Sequence, residues 1–432
     1  MKILLIGSTA RADCIAEAII KSKTKPELYA IMPSMNPGVK QKAKELIAHS
    51  VTDFSFIINY AKKIKPDFAV LGPDDPIAMG LANELEKIGV PSFGPKKEVA
   101  KIESSKSFAR ELMKKHSIEG LPKFRVFSDS EGMKDFASSL EQIVIKPDGL
   151  TGGKGVKVQG DHFDSIEQGL SYADSLLAKG KVVIEEKLEG EEFSLQSFCD
   201  GKNVVDSFPV QDHKRAFEGD LGPNCGGMGS YSCENHLLPF LKEKDLKQAH
   251  KITEQVALAL KKETGTEFKG ILYGGFILTK KGVKLIEYNA RFGDPEVMNV
   301  LPLMKSDFVE VCKAVIEGKL NEISLEFEQK ASVCKYVVPE GYPLNAVKNQ
   351  FIEFKETKAK HFFGAIDEKS GHYLMTGSRA MAFVGIGENL EKAEKISQNA
   401  VNQVKGKVFF RKDIGTRELI EKRVNHMKTL LW

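Results

Sequence analysis

Lys284-Leu-Ile-Glu-Tyr-Asn-Ala-Arg-Phe-Gly-Asp-Pro-Glu296 is the stretch on which the reading of this chain turns. It alternates like a β-strand and then runs into a turn dense in charge. Side chains two apart on a strand share a face, so Leu285, Glu287 and Asn289 are expected on one side and Ile286 and Tyr288 on the other. Glu287 and Asn289 then lie roughly 6–7 Å apart, where their oxygens can converge on one or two hard cations. Magnesium takes few protein oxygens and completes its shell with water and substrate phosphates. Alone, the run would read first as an edge strand with two solvated polar residues. The segments around it change that reading.

Upstream, Pro147-Asp-Gly-Leu-Thr-Gly-Gly-Lys-Gly155 lies between two apolar runs, 142–146 and 155–158, expected to pair as antiparallel strands. Glycines let backbone N–H groups approach a polyphosphate and form an anion-binding nest. The loop lacks the order of a Walker P-loop, and a glycine-rich hairpin by itself is only a turn. Lys146 before the loop, Lys154 within it and Lys106 on the preceding basic helix add charges suited to phosphate oxygens. Ile184-Glu-Glu-Lys-Leu188 leaves a strand into Glu189-Gly-Glu-Glu192. Such a strand end offers backbone groups to an adenine edge and a carboxylate to ribose, or is simply an acidic turn.

Further on, Gln211-Asp-His-Lys-Arg215 precedes Gly222-Pro-Asn-Cys-Gly-Gly-Met-Gly229. Lys214 and Arg215 can hold an anion while the glycines approach a substrate. So many glycines in a plain loop would raise the entropy lost on folding. A hydrolase site built on Asp212 and His213 is discounted, because no activated Ser or Cys nucleophile accompanies them.

A chain of 432 residues should divide into about three domains. Net charge is only +4 and no basic run is interleaved with aromatics, which leaves nucleic-acid binding without support. No apolar stretch approaches the roughly 20 residues that span a bilayer, and no signal peptide is visible. The six cysteines form no CxxC pair, which argues against a structural zinc site or a disulfide framework and for a reducing, cytoplasmic setting. Residues 1–95 alternate strand and helix, with buried strands at Lys2–Gly7 and Phe68–Gly72 and Pro73-Asp74-Asp75-Pro76 at a carboxyl end. That is a doubly wound parallel sheet, whose ligands gather at the carboxyl ends of strands. Helices are expected at 164–179, 305–318 and 389–405, and the tail beyond 331 is read as short strands with that one helix.

In order along the chain, these segments resemble the ATP-grasp superfamily and, within it, the phosphoribosylamine–glycine ligases. The resemblance is carried by Gly72-Pro-Asp-Asp-Pro76, Ser92-Phe-Gly-Pro95, Lys146-Pro-Asp-Gly with Gly152-Gly-Lys-Gly155, Glu185-Glu-Lys-Leu-Glu-Gly-Glu-Glu192, the 211–215 and 222–229 segments, Asn289–Glu296 and Arg411-Lys-Asp-Ile-Gly415. It implies an α/β and α+β multidomain chain: a Rossmann-like N-terminal domain (1–102), a two-subdomain ATP-grasp core, and a small C-terminal α+β, barrel-like domain (328–432). The core would comprise a lid (121–192) and a metal and substrate side (103–120 with 193–327). The implied reaction joins glycine to 5-phosphoribosylamine through a glycyl phosphate, using ATP with Mg2+ or Mn2+, in a cytoplasmic monomer.

The same resemblance assigns roles. Glu287 and Asn289 would hold the metal. Lys106, Lys146, Asp148, Gly149, Gly152, Gly153, Lys154 and Gly155 would grip phosphates, with Glu185, Glu186, Leu188 and Glu192 on the nucleoside. Arg291, Asp294 and Asp212 would be catalytic. Arg11, Asp74, His213, Lys214, Arg215, Pro223, Asn224, Gly226, Gly227, Met228, Gly229 and Glu296 would position glycine and the ribosylamine. One departure stands out. Where the family opens with GGREHA, this chain has Thr9-Ala-Arg-Ala-Asp-Cys14. Two other readings therefore stay open: an ATP-grasp ligase for another carboxylate and amine, and a nucleotide-binding regulator without turnover.

Overall fold

The computed structural model describes residues 1–150 and 155–431; Gly152, Gly153 and Lys154 of the glycine loop lie outside them. The chain opens with β1 (Lys2–Ile6), β2 (Glu27–Met32), β3 (Glu45–Ala48), β4 (Phe68–Leu71) and β5 (Ser92–Phe93). They form a parallel sheet in the order β3-β2-β1-β4-β5. Ile3, Leu4, Leu5 and Ile6 are fully buried, as a central parallel strand covered on both faces requires. Burying each such side chain contributes about 1.5–3 kcal/mol. The order reverses between β1 and β4, so the loops after these two strands flank the crevice where ligands bind in such sheets. Those loops carry Thr9 and Asp74.

A second sheet contains β6 (Phe124–Phe127), β7 (Ile143–Pro147), β8 (Lys157–Val158) and β9 (Val182–Glu186), ordered β6-β9-β7-β8. The strands flanking the glycine loop do pair antiparallel, Ile145 opposite Lys157. With the helix Ile166–Leu177 this sheet encloses its own core of Phe127, Met133, Ile143, Ile145, Phe163 and Ile184. It is a small body with an apolar centre separate from its neighbours.

The chain continues as β10 (Glu191–Asp200), β11 (Val204–Asp206), β12 (Gln211–Asp212), β13 (Arg215–Phe217), β14 (Leu221–Asn224), β15 (Gly229–Ser232), β16 (Lys269–Thr279), β17 (Gly282–Asn289) and β18 (Ala331–Pro339). The long strands form the antiparallel order β11-β10-β16-β17. The decisive stretch is thus a strand, but its faces differ from simple alternation. Gly275 pairs with Glu287 and Phe276 with Leu285, so Ile286 is an extra residue, a bulge that re-aims its neighbours. Ile286, Glu287, Tyr288 and Asn289 all border a cleft, Tyr288 with its hydroxyl turned to Thr253 on the helix Glu243–Thr264, whereas Leu285 is fully buried in the core.

β12 and β15 join β18 in one sheet with the tail strands Met381–Gly387 and Lys360–Phe363. The tail is therefore bonded directly to the 211–229 segment. It also contains a helix the sequence reading lacked, Arg417–Leu431.

Candidate active site

A cleft of about 540 Å3 lies between the β6–β9 sheet and the β10–β17 sheet. On the lid side Lys146 Nζ lies 2.7 Å from Glu185 Oε2 and donates to the bulge carbonyl of Ile286 at 3.2 Å. Arg110 donates to both Glu185 oxygens, at 2.6 and 3.0 Å, and to the same carbonyl at 2.7 Å. Burial raises the Glu185 carboxyl, but the two cations outweigh it and hold it at about 2. Glu185 was expected on the nucleoside; its carboxylate is instead fully engaged in aiming Lys146. Lys106 donates to Gly149 O at 2.7 Å, and Asp148 accepts from Ser107 N and Oγ, at 3.1 and 2.6 Å. These contacts fix the start of the glycine loop against the helix Lys106–Lys115. Glu186 uses its N–H on Lys123 O, at 2.9 Å, so that N–H, expected on an adenine edge, is already engaged.

Across the cleft, Glu287 is held below its ordinary value: burial raises it, but Lys214, Lys146, Lys106 and Arg291 outweigh burial through space. Among the described residues no hydrogen bond to its carboxylate is made. Asn289 Oδ1 accepts from Arg291 at 3.2 Å, and Arg291 pairs with buried Glu103 at 3.1 Å. An ionised carboxylate open to the cleft beside an amide oxygen fits a divalent cation bound together with phosphate. Among the described residues no group of three or more His, Cys, Asp or Glu could hold a metal ion, so any cation here takes its remaining ligands from substrate and water.

The third wall is acidic. Asp212 is raised well above its ordinary value, first by burial and then by the nearby Glu296. Buried Glu296 accepts from Tyr273 OH at 2.7 Å. Gly227 must be glycine: its φ is +98°, and a Cβ would stand 2.5 Å from Asp212 Oδ1. Lys214 is raised by Glu192, which it contacts at 3.2 Å, and by Glu287 and Asp212. Arg215 bonds Gly222 O at 2.9 Å and pairs with Asp161 on the lid. Asp74 also reaches the cleft, and Arg291 and Arg11 overcome burial to keep it low.

Other expected residues are buried in or behind the wall, His213 at its lining. His213 is buried and pushed down to about 3, by burial first and then by Arg411 and Arg423; it is neutral, with Nδ1 3.3 Å from Gly229 O. Met228 is fully buried and contributes backbone bonds to His213 and Tyr336. Asn224 and Gly226 line the cleft, whereas Pro223 and Gly229 do not. Arg11, expected at the substrate, is buried and donates to Phe292 O at 2.7 Å. Its charge acts through space on Asp74 and Asp294, both of which line the cleft.

Asp294 is a junction. Its Oδ1 accepts from Tyr336 OH at 2.6 Å and lies 3.2 Å from Arg379, while Oδ2 accepts from Thr9 at 2.7 Å. Arg379, Tyr336, Tyr273, Glu103 and Arg423 were all missed in the sequence. None belongs to a local motif, and Arg423 lies on the unexpected last helix.

Two sheets facing each other over a cleft, one aiming a lysine and the other an acidic strand, place this protein in the ATP-grasp class. Comparison with known proteins narrows the class. Residues 1–103, 104–297 and 332–417 match, in order, the N domain, the ATP-grasp (A) domain and the C domain of phosphoribosylglycinamide synthetase, and the chain belongs to that family. It is 48% identical over 431 residues to the phosphoribosylamine–glycine ligase of Methanosarcina barkeri, covering 100% of both chains. It is 49% identical over 444 residues to that of Methanococcus maripaludis, again covering 100% of both. The crystal structure of the Thermotoga maritima phosphoribosylamine–glycine ligase superposes with a TM-score of 0.81 at 28% identity, over 96% of this chain and 100% of that one. A biotin carboxylase from Campylobacter jejuni shares the fold, with a TM-score of 0.74 at 17% identity over 99% of this chain and 98% of that one.

Proposed function

We propose that this chain uses ATP to join glycine to 5-phosphoribosylamine, giving glycinamide ribonucleotide, ADP and phosphate by way of glycyl phosphate. The observation that carries this is the division of charge within one cleft. Lys106 and Lys146 make one end favourable to phosphates, while buried Asp212 and Glu296, with Lys214 beside them, make the other suited to a substrate bearing an amine. A kinase or a simple nucleotide sensor needs only the first end.

Residues of this chain then take the following roles. Lys146, Lys106 and the loop from Asp148 to Gly155 bind the phosphates, with Leu188 and Glu192 on the nucleoside. Arg291 faces the transferring phosphoryl group as the glycine carboxylate forms its bond to phosphorus and ADP leaves. The ribosylamine nitrogen next attacks the acyl carbon and phosphate departs. Asp212, which lines the cleft beside Glu296 and Lys214, takes the proton the amine releases. Glu287 and Asn289 would hold Mg2+ or Mn2+, which supplies charge neutralisation between phosphates. The lid, residues 121–192, excludes water from the acyl phosphate. The protein is taken as a cytoplasmic monomer of four units: 1–102, the lid, 103–120 with 193–327, and 328–432.

The test is ADP release with Mg-ATP and freshly generated phosphoribosylamine, with and without glycine, with product mass determined. Glycine-dependent ADP matched one-for-one by glycinamide ribonucleotide is expected. ATP binding without glycine-dependent turnover would refute the ligase reading.

A further inference from the structure

Thr9 occupies a position that its side chain disfavours. Its φ is +61°, in the left-handed region, where a β-branched residue is an outlier. Such strain persists where the surroundings impose it, and it clusters at functional sites. Glycine would adopt this backbone freely. What threonine has and glycine lacks is the hydroxyl, and that hydroxyl donates to Asp294 Oδ2 at 2.7 Å.

The bond joins parts of the chain far apart in sequence. Thr9 follows β1, Asp294 follows β17, and Tyr336 and Arg379 come from the tail. An ionised carboxylate offers about four acceptor positions. Tyr336 OH donates to Oδ1 at 2.6 Å, with Arg379 as an ion-pair neighbour of that oxygen at 3.2 Å, and Thr9 donates to Oδ2. One position on Oδ2 is left, and Asp294 lines the cleft. Arg379 also bonds Gly227 O at 3.1 Å and Asp294 O at 2.9 Å, so backbone and carboxylate are both held. Thr9 stands at the reversal between β1 and β4, the crevice that also carries Asp74. The lysines assigned to phosphate come from the helix Lys106–Lys115 and from β7 of the lid, away from Thr9.

We propose that Thr9 is a specificity-determining positioning residue for the amine substrate: its hydroxyl fixes the plane of the Asp294 carboxylate so that the remaining Oδ2 acceptor meets the amino group of phosphoribosylamine. This rests on the ligase reading above. Threonine keeps a strained backbone at this point because the hydroxyl orients a carboxylate supplied by another part of the chain.

The experiment compares Thr9→Gly, Thr9→Ala and Thr9→Ser with the unaltered chain, measuring kcat, the KM for each of the three substrates, and Tm. Thr9→Gly removes the hydroxyl and relieves the backbone, so its Tm should be unchanged or higher. Its KM for phosphoribosylamine should nevertheless rise about tenfold, the scale of one hydrogen bond to a charged group. KM for ATP and glycine should stay within about twofold, and Thr9→Ser should restore most of the loss. Thr9→Ala should repeat the KM change without the gain in Tm. An unchanged KM for phosphoribosylamine in Thr9→Gly, or an equal rise for all three substrates, would overturn the proposal. So would a rise confined to glycine, which would put the open acceptor at the glycine ammonium. Absence of product from the unaltered chain would overturn the ligase reading and this inference together; with that chain active, the variant results bear on Thr9 alone.

Discussion

Replacing Glu185 with glutamine tests how the lid is joined to the rest of the molecule. The carboxylate is fully buried between Arg110 and Lys146, and both cations also bond Ile286 O. A carboxyl held at about 2 in place of its ordinary 4.5 is stabilised as the anion by about 3 kcal/mol, at about 1.4 kcal/mol per tenfold in proton affinity. Removing one partner of a buried ion pair costs about 3–5 kcal/mol by a separate route, because the other charges are left uncompensated. The folded value lies below the unfolded one, so this stabilisation is complete above about pH 4.5 and is lost as pH falls toward 2. Hydrogen exchange of β7 and β9 amides, together with urea unfolding, should show Glu185→Gln less stable by about 3 kcal/mol at pH 7. The gap should narrow below about pH 4.5 as the unaltered chain gives up the same interaction. KM for ATP should rise in parallel, since Lys146 loses the group that aims it. A gap under about 1 kcal/mol at pH 7, or one that does not depend on acid, would refute the reasoning.

Three further outcomes follow from the geometry. Glu287→Gln should lower kcat by at least about a hundredfold with a near-normal Tm, and should weaken Mn2+ binding in the presence of ATP as followed by calorimetry; a folded variant with normal turnover would remove the metal assignment. His213 is lowered from 6.5 to about 3, so the stability it governs is complete above about pH 6.5 and declines as pH falls toward 3. Its neutrality means that His213→Asn should leave the pH–rate profile between about pH 6 and 8 unshifted, and loss of a kinetic limb there would contradict the buried neutral ring. Asp161→Asn breaks the pair with Arg215, whose side chains are 25% and 40% exposed. Stability should change by less than about 1 kcal/mol, while ADP formed per product should rise above one; unchanged coupling would dismiss that pair as a latch.

The sequence exposed those parts of the site whose chemistry is local. Lys146, Glu287 and Asn289 announce themselves because strand period and neighbouring charge fall within a few residues, and Gly227 because no other residue tolerates its backbone beside Asp212. Alternation failed at Ile286, because a bulge depends on the partner strand β16 and leaves no mark on β17 alone. Arg11 carries a family motif, and its burial against Phe292 depends on a segment 281 residues away. Arg379 and Tyr336 are invisible for the same reason: they matter only once β18 lies beside β15. The last helix was missed, and with it Arg423, which pairs with Asp220 of the hairpin turn.

The contacts between the lid and its surroundings are of two kinds, and their difference defines how the cleft can open. At the base, Glu185 on β9 is buried with Arg110 from the helix Lys106–Lys115, and Arg110 also holds β17 through Ile286 O. Separating these groups would strand charges in an apolar surrounding, so this end is stiff. At the rim, the lid's Asp161 meets Arg215 as a part-exposed pair, worth about 1 kcal/mol or less. The lid has its own apolar core, so it need not unpack to move. A rigid body held strongly at one edge and weakly at the other rotates about the strong edge. Rotation about Glu185 would leave Lys146 and the contacts of Asp148 with Ser107 at the base, so the residues that aim at phosphate stay together. The β13–β14 hairpin that receives the rim is in turn fixed by the tail: Arg411 and Arg423 both pair with Asp220, and Gly219 N donates to Asp413 at 2.9 Å. The C-terminal segment thus fixes the hairpin that Asp161 meets through Arg215.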